Sequence, residues 1–310
     1  MQLTWVGVIS SVMVAATDTQ FPSALPNCPD RCGDLQIPYP FGLTEGCYLK
    51  ETKESTKFSI FCDNSLEKPQ PMTGDFLVTK TGDFLVTNIS VQEGQIEIMI
   101  DNDIDCYDRM GTLQSNRKRK RSLTNPIFTI SHTKNRLVSV GCNTYASLMA
   151  FRNDKRFYSF CPSICDSRSD VVNGSCSGLG CCQTDIPGGL KNFTLEAHSF
   201  NNHTNVSYFN PCSFAFIIRE DKFNFSSYYL SSLKNNATLP MVLDWAIGSD
   251  KCEDAQKNKS TYLCGVNTIC DDPENGSGTG YRCNCTEGYD GNPYLKDGCQ
   301  GIQFTCIYPL

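Results

Sequence analysis

The most strongly charged stretch of this chain is residues 109–156, which hold eleven basic residues against one acid, Asp154. The whole chain has a formal net charge of −6, so this stretch contrasts with the rest. Arginine holds a carboxylate through two parallel hydrogen bonds, and lysine meets it as a point charge. We therefore predict many weak, salt-sensitive contacts with an acidic polymer. The basic residues are Arg109, Arg117, Lys118, Arg119, Lys120, Arg121, Lys134, Arg136, Arg152, Lys155 and Arg156.

The densest part of this stretch, residues 117–121 with the sequence RKRKR, has two other interpretations. It is equally well explained as a solvated loop, because runs of charge often have no specific partner, and it also resembles a proteolytic processing site. A group of acids precedes it and would neutralise part of its charge. These acids are Glu93, Glu97, Asp101, Asp103, Asp105 and Asp108.

Tyr39 and Phe41 alternate with Pro38 and Pro40, which exclude a helix and hold the backbone extended. Two aromatic rings on a stiff segment could stack on a sugar, and we include both among the candidate carbohydrate contacts. The alternative, which the pattern favours slightly, is that they close the end of a β core.

Nineteen cysteines set the class of protein. The chain has three histidines and no C-x-x-C pair, so disulfides explain the cysteines better than zinc does. Disulfides persist in an oxidising compartment, which predicts a secreted or cell-surface protein. Residues 161–182 hold five cysteines, and a bridge between the neighbours Cys181 and Cys182 would strain their peptide. We therefore expect these two to reach different, distant partners.

Two other features agree with secretion. Residues 3–16 form an apolar run that ends in small residues, which predicts a signal peptide over residues 1–19, and no later run is long enough for a membrane span. Only one glycosylation acceptor lies between Cys28 and Cys161, so the N-terminal half is expected to carry little glycan. The acceptors are Asn88, Asn173, Asn192, Asn202, Asn205, Asn224, Asn236, Asn258, Asn275 and Asn284.

Short runs of β-branched and aromatic residues, separated by Gly, Pro, Asn and Asp, predict a mainly β, disulfide-rich fold. A hairpin turn is predicted at Glu93 and Gly94. The heptapeptide of residues 73–79 recurs at 81–87, and this even displacement keeps each side chain on its face of a lengthened hairpin or bulged edge. The predicted strands are residues 58–62, 84–91, 95–100, 127–130, 136–140, 193–197, 207–209 and 214–218.

Residues 250–300 form a separate module with closely spaced cysteines, which we call the C-terminal module. Its boundary falls near residues 244–250. Its six cysteines allow 15 pairings. Their order, the single residue between Cys283 and Cys285, and the following Gly288-Tyr289 resemble an epidermal-growth-factor-like module. That resemblance implies the pairs Cys252–Cys270, Cys264–Cys283 and Cys285–Cys299. One carboxylate, Asp250, precedes the first cysteine, so no calcium site is predicted.

Four motifs in one order resemble the ectodomain of plant wall-associated receptor-like kinases. They are CPDRCGDLQIPYPFG at 28–42, NGSCSGLGCCQTDIP at 173–187, LDW at 243–245 and GYDGNPYLKDGC at 288–299. The resemblance implies a large galacturonan-binding domain at residues 28–243, the module at 250–300, and secretion into the cell wall. Residues 301–310 are an atypical tail in which Cys306 is left over, as a free thiol, an intermolecular link or, the explanation we favour, the residue of a truncated gene model. We therefore expect a truncated form that lacks the membrane span and kinase.

The resemblance implies that the chain binds pectin without catalysis and without a cofactor. The basic residues of 109–156, with Tyr39 and Phe41, are the candidate contacts. A structural or protein-interaction role for the C-terminal module is the alternative. No nucleophile, zinc-protease or phosphate-loop motif is present, although paired carboxylates for a glycosidase cannot be recognised from sequence. Nucleic acid is not an expected partner.

Overall fold

The computed structural model describes residues 14–16, 21–50, 57–73, 84–117, 119–121, 127–152, 155–233, 238–274, 278–302 and 304–306. Strands dominate these residues. The first twelve are β1 Val14–Ala16, β2 Arg31–Cys32, β3 Leu35–Gln36, β4 Ile60–Asp63, β5 Gln70–Thr73, β6 Val86–Ser90, β7 Gln95–Asp101, β8 Asp103–Tyr107, β9 Leu113–Arg117, β10 Arg119–Arg121, β11 Phe128–Ile130 and β12 Asn135–Val140. The others are β13 Thr144–Arg152, β14 Lys155–Ser163, β15 Cys181–Thr184, β16 Lys191–Ser199, β17 Cys212–Arg219, β18 Thr238–Trp245, β19 Thr268–Asp271, β20 Arg282–Cys285, β21 Tyr289–Gly291, β22 Cys299–Gly301 and β23 Phe304–Cys306.

Helical structure in the described residues is limited to single turns. The α-helices are α1 Tyr229–Ser232 and α2 Cys252–Ala255, and the 3-10 helices are Arg168–Asp170 and Glu220–Lys222. Within the described ranges we find no helix with the length and apolarity that a membrane crossing needs. The predicted fold class, mainly β and disulfide-rich, is confirmed.

Strands overlap every predicted run except residues 207–209, where the prediction is wrong. Those residues lie in a series of turns in which the Ser207 amide donates to the carbonyl of His203 and the Phe209 amide to that of Val206. The predicted hairpin turn at Glu93 and Gly94 is present between β6 and β7. Residues 74–83, which hold most of the repeated heptapeptide, and residues 1–13 and 17–20 of the predicted signal region lie outside the described residues.

Three sheets carry most of the chain, with strand orders β10-β16-β13-β14, β11-β18-β7-β6 and β15-β12-β17-β8-β9. β17 is buried from Cys212 to Ile218 because both of its faces are covered by apolar layers. Side chains alternate across a strand, so Ala215 and Ile217 enter one core cluster while Phe214 and Phe216 enter another. This strand therefore separates two cores.

Trp245, at the end of β18, is fully buried in the larger core. Its ring centroid lies 5.4 Å from that of Phe41, 6.0 Å from that of Phe58 and 5.4 Å from that of Tyr294. These partners belong to the N-terminal region and to the C-terminal module. One apolar cluster thus joins the N-terminal region, the end of β18 and the C-terminal module.

Disulfides reinforce the sheets and the loops between them. Cys182 pairs with Cys161, 21 residues away, and so ties β15 to β14. Cys181 instead pairs with Cys176, only five residues away. The expectation of a distant partner for Cys181 is wrong, because the chain reverses tightly and the Gly178 amide donates to the Cys181 carbonyl at 2.8 Å. The other bridges are Cys28–Cys47, Cys32–Cys62, Cys106–Cys212, Cys142–Cys165, Cys252–Cys270, Cys264–Cys283 and Cys285–Cys299.

The burial of Phe41 gives a first prediction. Phe41→Leu should lower the free energy of unfolding by about 1–2 kcal/mol, because it leaves a gap beside Trp245 in a close-packed core. Phe160→Leu is the matched control: Phe160 is 57% exposed, so its change should stay within about 0.5 kcal/mol. Chemical denaturation of the disulfide-intact variants measures both, and equal losses would contradict the packing described here.

His203 gives a second prediction. Its side chain is fully buried, its Nε2 lies 2.8 Å from the Ser213 hydroxyl, and burial lowers its pKa to about 4. Between pH 6.5 and 4 the unfolded chain would bind a proton that the folded chain excludes. Stability should therefore fall with falling pH in this window, by about 1.4 kcal/mol per pH unit from this group.

His203→Asn tests this directly, since asparagine tolerates the left-handed backbone, φ 56°, found at this position. The difference in unfolding free energy between the wild type and this variant should change with pH between 6.5 and 4 and stay constant above 7. A difference that is constant throughout would show that His203 titrates normally.

Candidate functional site

A cleft with a volume of about 720 Å³ lies between the N-terminal region and the C-terminal module. Lys50 and Lys57 line it from the N-terminal region, and Lys191 lines it from the start of β16. Tyr262 and Tyr281 line it from the C-terminal module, with their ring planes 27° apart and their centroids at 5.6 Å. We call this site the lysine cleft.

The walls of the cleft are fixed because the C-terminal module is hydrogen-bonded to the rest of the chain. Asn292 is buried, and its Nδ2 donates to the carbonyls of Ser23 at 2.8 Å and Tyr39 at 2.7 Å. Arg282 Nη1 donates to the Glu93 carbonyl at 2.6 Å. A β-bridge also joins Ile247 to Tyr281 of the module, and both residues line the cleft. The module is therefore docked rather than loosely tethered.

The lysine cleft is cationic. Asp250 is the one carboxylate among the described residues that line it. Lys50 contacts the exposed carboxylate of Glu45, which raises the pKa of the lysine. Lys191 is half-buried, and the loss of water around it lowers its pKa.

A second cationic surface, which we call the basic hairpin end, lies nearby and consists of Arg152, Lys155 and Arg156 at the β13–β14 turn. Arg156, Phe151 and Lys191 are in register across β14, β13 and β16, so the backbone of Arg156 lies about 10 Å from that of Lys191. The Arg152 guanidinium lies 4.9 Å from the Phe157 ring centroid, and that of Arg156 lies 5.7 Å from the Phe151 ring centroid. Both groups are thereby positioned at the surface.

The other predicted basic residues do not join these surfaces. Arg136 pairs with Asp185 at 3.3 Å and with Glu220 at 3.0 Å, and Lys134 pairs with Glu93 at 3.3 Å. Arg117 is half-buried and donates to the Asn102 Oδ1 at 2.7 Å. Arg109 is exposed in the turn between β8 and β9. Lys118 lies outside the described residues, and Arg119–Arg121 form β10 beside β16.

One predicted contact is wrong. Phe41 has no exposed surface and lies among Phe58, Phe128 and Trp245, so no sugar can stack on its ring. The alternative interpretation, that it closes the end of the β core, describes its position. Tyr39 is half-buried, and this burial raises its pKa.

Sequence reasoning missed the three lysines of the cleft. Lys50 and Lys57 lie in one stretch, residues 50–57, which also holds Lys53 and the acids Glu51 and Glu54. Lys191 lies 134 residues further along, so no local pattern links it to the other two. The fold brings all three to the cleft, and the C-terminal module supplies its opposite wall.

The acceptor asparagines in the described residues are at the surface with one exception. Asn258 lies on the rim of the lysine cleft, and Asn284 is half-buried in β20. Asn236 and Asn275 lie outside the described residues. The exposed acceptors are Asn88, Asn173, Asn192, Asn202, Asn205, Asn224 and Asn258.

The C-terminal module contains three bridges that pair its first cysteine with its third, its second with its fourth and its fifth with its sixth. This arrangement is compatible with an epidermal-growth-factor-like module. The chain is thus a disulfide-linked β protein with a cationic cleft beside a small cysteine module.

Comparison with known proteins defines the class further. Residues 28–100 match a family profile described as "Wall-associated receptor kinase galacturonan-binding". This match covers the first part of the predicted domain at residues 28–243 and includes Lys50 and Lys57. No solved structure matches the chain.

Three relatives from Arabidopsis thaliana match nearly the whole chain. Wall-associated receptor kinase 2 is 39% identical over 90% of this chain, wall-associated receptor kinase 5 is 36% identical over 92%, and wall-associated receptor kinase 1 is 35% identical over 89%. The chain spans about a third of the length of these relatives, 34% to 36%. Residues 28–100 therefore resemble that family, and the chain is homologous to the part of the wall-associated receptor kinases that it matches, which confirms the resemblance found in the motifs.

The docking of the C-terminal module gives a third prediction. Asn292→Ala should lower the free energy of unfolding by about 1–3 kcal/mol, because two carbonyls lose their donor. Gln300→Ala is the matched control, since its amide is exposed and donates within the module to Asp297. Thermal and chemical unfolding measure both changes, and an equal, small loss in the two variants would contradict tight docking.

Proposed function

We propose that this chain is a non-catalytic, extracellular binder of de-esterified galacturonan, and that the lysine cleft and the basic hairpin end hold the polymer. The observation that supports this most is the convergence of Lys50, Lys57 and Lys191 on one cavity. Two of these lysines belong to the segment that matches the galacturonan-binding family.

The chemistry of the ligand fits the cleft. De-esterified galacturonan carries a carboxylate on each sugar, and ammonium groups bind carboxylates through charge-assisted hydrogen bonds. A volume of about 720 Å³ is within the usual range for small-ligand sites. Ser260 and Thr261, which also line the cleft, offer their hydroxyl groups to sugar hydroxyls. Dissolved salt also screens charge contacts less in a partly buried cleft than at an exposed surface.

The basic hairpin end extends the binding surface in this proposal. Its backbone lies about 10 Å from that of Lys191, and this short separation supports contact of both with one polymer. β10, which carries three of the predicted basic residues, pairs with β16 in the same sheet, and Arg119, Lys120 and Arg121 remain candidate contacts in this proposal. Arg109, Arg117, Lys134, Arg136 and Tyr39 remain candidate contacts outside this central region.

Two observations support the rest of the proposal. The described cysteines form nine disulfides, and such bridges persist outside the reducing cytosol. Glycoside hydrolysis ordinarily needs two carboxylates at the scissile bond, whereas Asp250 is the single carboxylate among the cleft's described lining residues. Binding rather than cleavage is the function that this lining favours.

The cleft lysines give a fourth prediction. Lys50→Gln, Lys57→Gln and Lys191→Gln should each weaken binding of a de-esterified oligogalacturonide by about two- to five-fold, because each change removes one ion pair. The triple variant should weaken it by more than about ten-fold and flatten its dependence on salt. Titration calorimetry at two salt concentrations measures these affinities.

Lys68→Gln is the matched control, because Lys68 is on the same N-terminal region, is 82% exposed and lies outside the cleft. Its affinity should equal that of the wild type. Equal losses in Lys68→Gln and Lys191→Gln would contradict the cleft as the binding site. Release of reducing ends from polygalacturonate by the wild type would contradict the non-catalytic assignment.

A further inference from the structure

The outer face of the β10-β16-β13-β14 sheet carries a second concave site, which is separate from the lysine cleft. Tyr145 on β13, Phe160 and Pro162 on β14, and Ser199 and Phe200 at the end of β16 enclose a volume of about 430 Å³. Phe160 is 57% exposed and Phe200 is 54% exposed, although each is a large apolar ring. We call this site the aromatic groove.

The rings of the groove are held in place by one another. The Tyr145 ring centroid lies 6.4 Å from that of Phe160 and 4.9 Å from that of Phe200. The other side of the Tyr145 ring stacks on His198 at 4.7 Å, with the planes 13° apart. Tyr158, the next outward residue of β14, lies parallel to Phe160 at 6.3 Å. The tilt between neighbouring rings makes the site concave.

The lining of the groove is uncharged. Its five residues include no acid and no base, and the Ser199 hydroxyl already accepts from the amides of Asn201 and His203. The nearby His198 pairs with Glu196 at 2.9 Å. Arg156, the closest base along β14, lies beyond Tyr158 and donates to its hydroxyl. A charged occupant would therefore find no partner of opposite charge within the groove, so the lining favours an uncharged one.

The groove is too small for a stable protein interface. A large aromatic side chain offers about 150–250 Å² in all, so the half-exposed rings and Pro162 supply roughly 400 Å², about half of the 800 Å² per partner in a standard interface. Addition of a further strand at the β14 edge is also disfavoured. Lys155, Arg156 and Pro162 lie on this strand, and charges and proline are what natural edge strands use against such pairing.

We propose that the aromatic groove binds an uncharged stretch of sugar polymer, such as methyl-esterified galacturonan, by stacking of sugar rings on Phe160, Phe200 and Tyr145. One side of a sugar ring presents C–H bonds, whose hydrogens are slightly positive, and the face of an aromatic ring is negative. The two sides of a concave aromatic site cover such a ring more completely than a flat surface does. The groove thus differs from the lysine cleft in position, in ligand charge and in response to salt.

The test compares one esterified ligand with a set of variants of the full chain. A fully methyl-esterified oligogalacturonide is titrated calorimetrically at low and high salt. The wild type should bind with equal affinity at both. Phe160→Ala and Phe200→Ala should each weaken binding about three- to ten-fold. Phe160→Tyr should keep it, because the ring remains.

Two controls separate this site from others. Tyr228→Ala removes an aromatic residue that is 64% exposed and lies outside the groove, so it should leave the affinity unchanged. The triple variant of Lys50, Lys57 and Lys191 should also bind the esterified ligand normally, so failure here is distinct from failure of the lysine cleft.

Five results would overturn the proposal. Four of them are absence of binding by the wild type, equal affinities for Phe160→Ala and Tyr228→Ala, loss of binding in the lysine variant alone, and self-association that Phe160→Ala abolishes. The last would identify a second copy of the chain as the occupant. Binding that appears only after enzymatic removal of N-linked glycans would place the protein's own sugars in the groove and would also overturn it.

Discussion

The burial of Trp245 is the interaction on which the rest of this structure depends. Phe41 and Phe58 pack on it from the N-terminal region, and Tyr294 packs on it from the C-terminal module. An indole ring brings a large apolar area into the core, and its neighbours contribute as much again. Because these partners come from separate parts of the sequence, packing around one residue sets the position of the module relative to the sheets. The lysine cleft lies along that same boundary and exists only because the module is held there.

Charge and aromatic character are distributed over two different surfaces. The lysines of the cleft come from loops and a strand end, where ammonium groups can reach solvent or an anion. The aromatic groove is built from outward positions of β13 and β14, where alternation sends every second side chain away from the core. The two proposed modes of sugar recognition, one electrostatic and one by stacking, thus use two kinds of structural element.

The fold was largely predictable, because alternation and turn residues mark strands locally. The positions of distant segments relative to one another could not be predicted in this way. Residues 117–121 look like one basic run, yet Arg117 ends β9, which pairs with β8, and Arg119–Arg121 form β10, which pairs with β16, so the run is divided between two sheets. Phe41 and Phe160 are the same residue type in similar extended contexts, but one is in the core and the other is at the surface. Such differences depend on which segments meet, and no local pattern records that.

The disulfide pattern has a mechanical consequence for a chain pulled at Cys28 and Cys299. Disulfides shorten the covalent path between these two points. The stretches of backbone that no bridge bypasses run from Cys62 to Cys106 and from Cys212 to Cys252. These stretches pair with each other through β8–β17 and β7–β18, and the Cys106–Cys212 bond joins them at one end. Tension would separate β7 from β18 one residue pair at a time, starting at the end far from the Cys106–Cys212 bond. At that end the Trp245 amide donates to the Gly94 carbonyl at 2.8 Å. The contacts of Trp245 with Phe41 and Tyr294, and the hydrogen bonds of Asn292 to Ser23 and Tyr39, join the two pulled ends directly and must separate before this pairing opens.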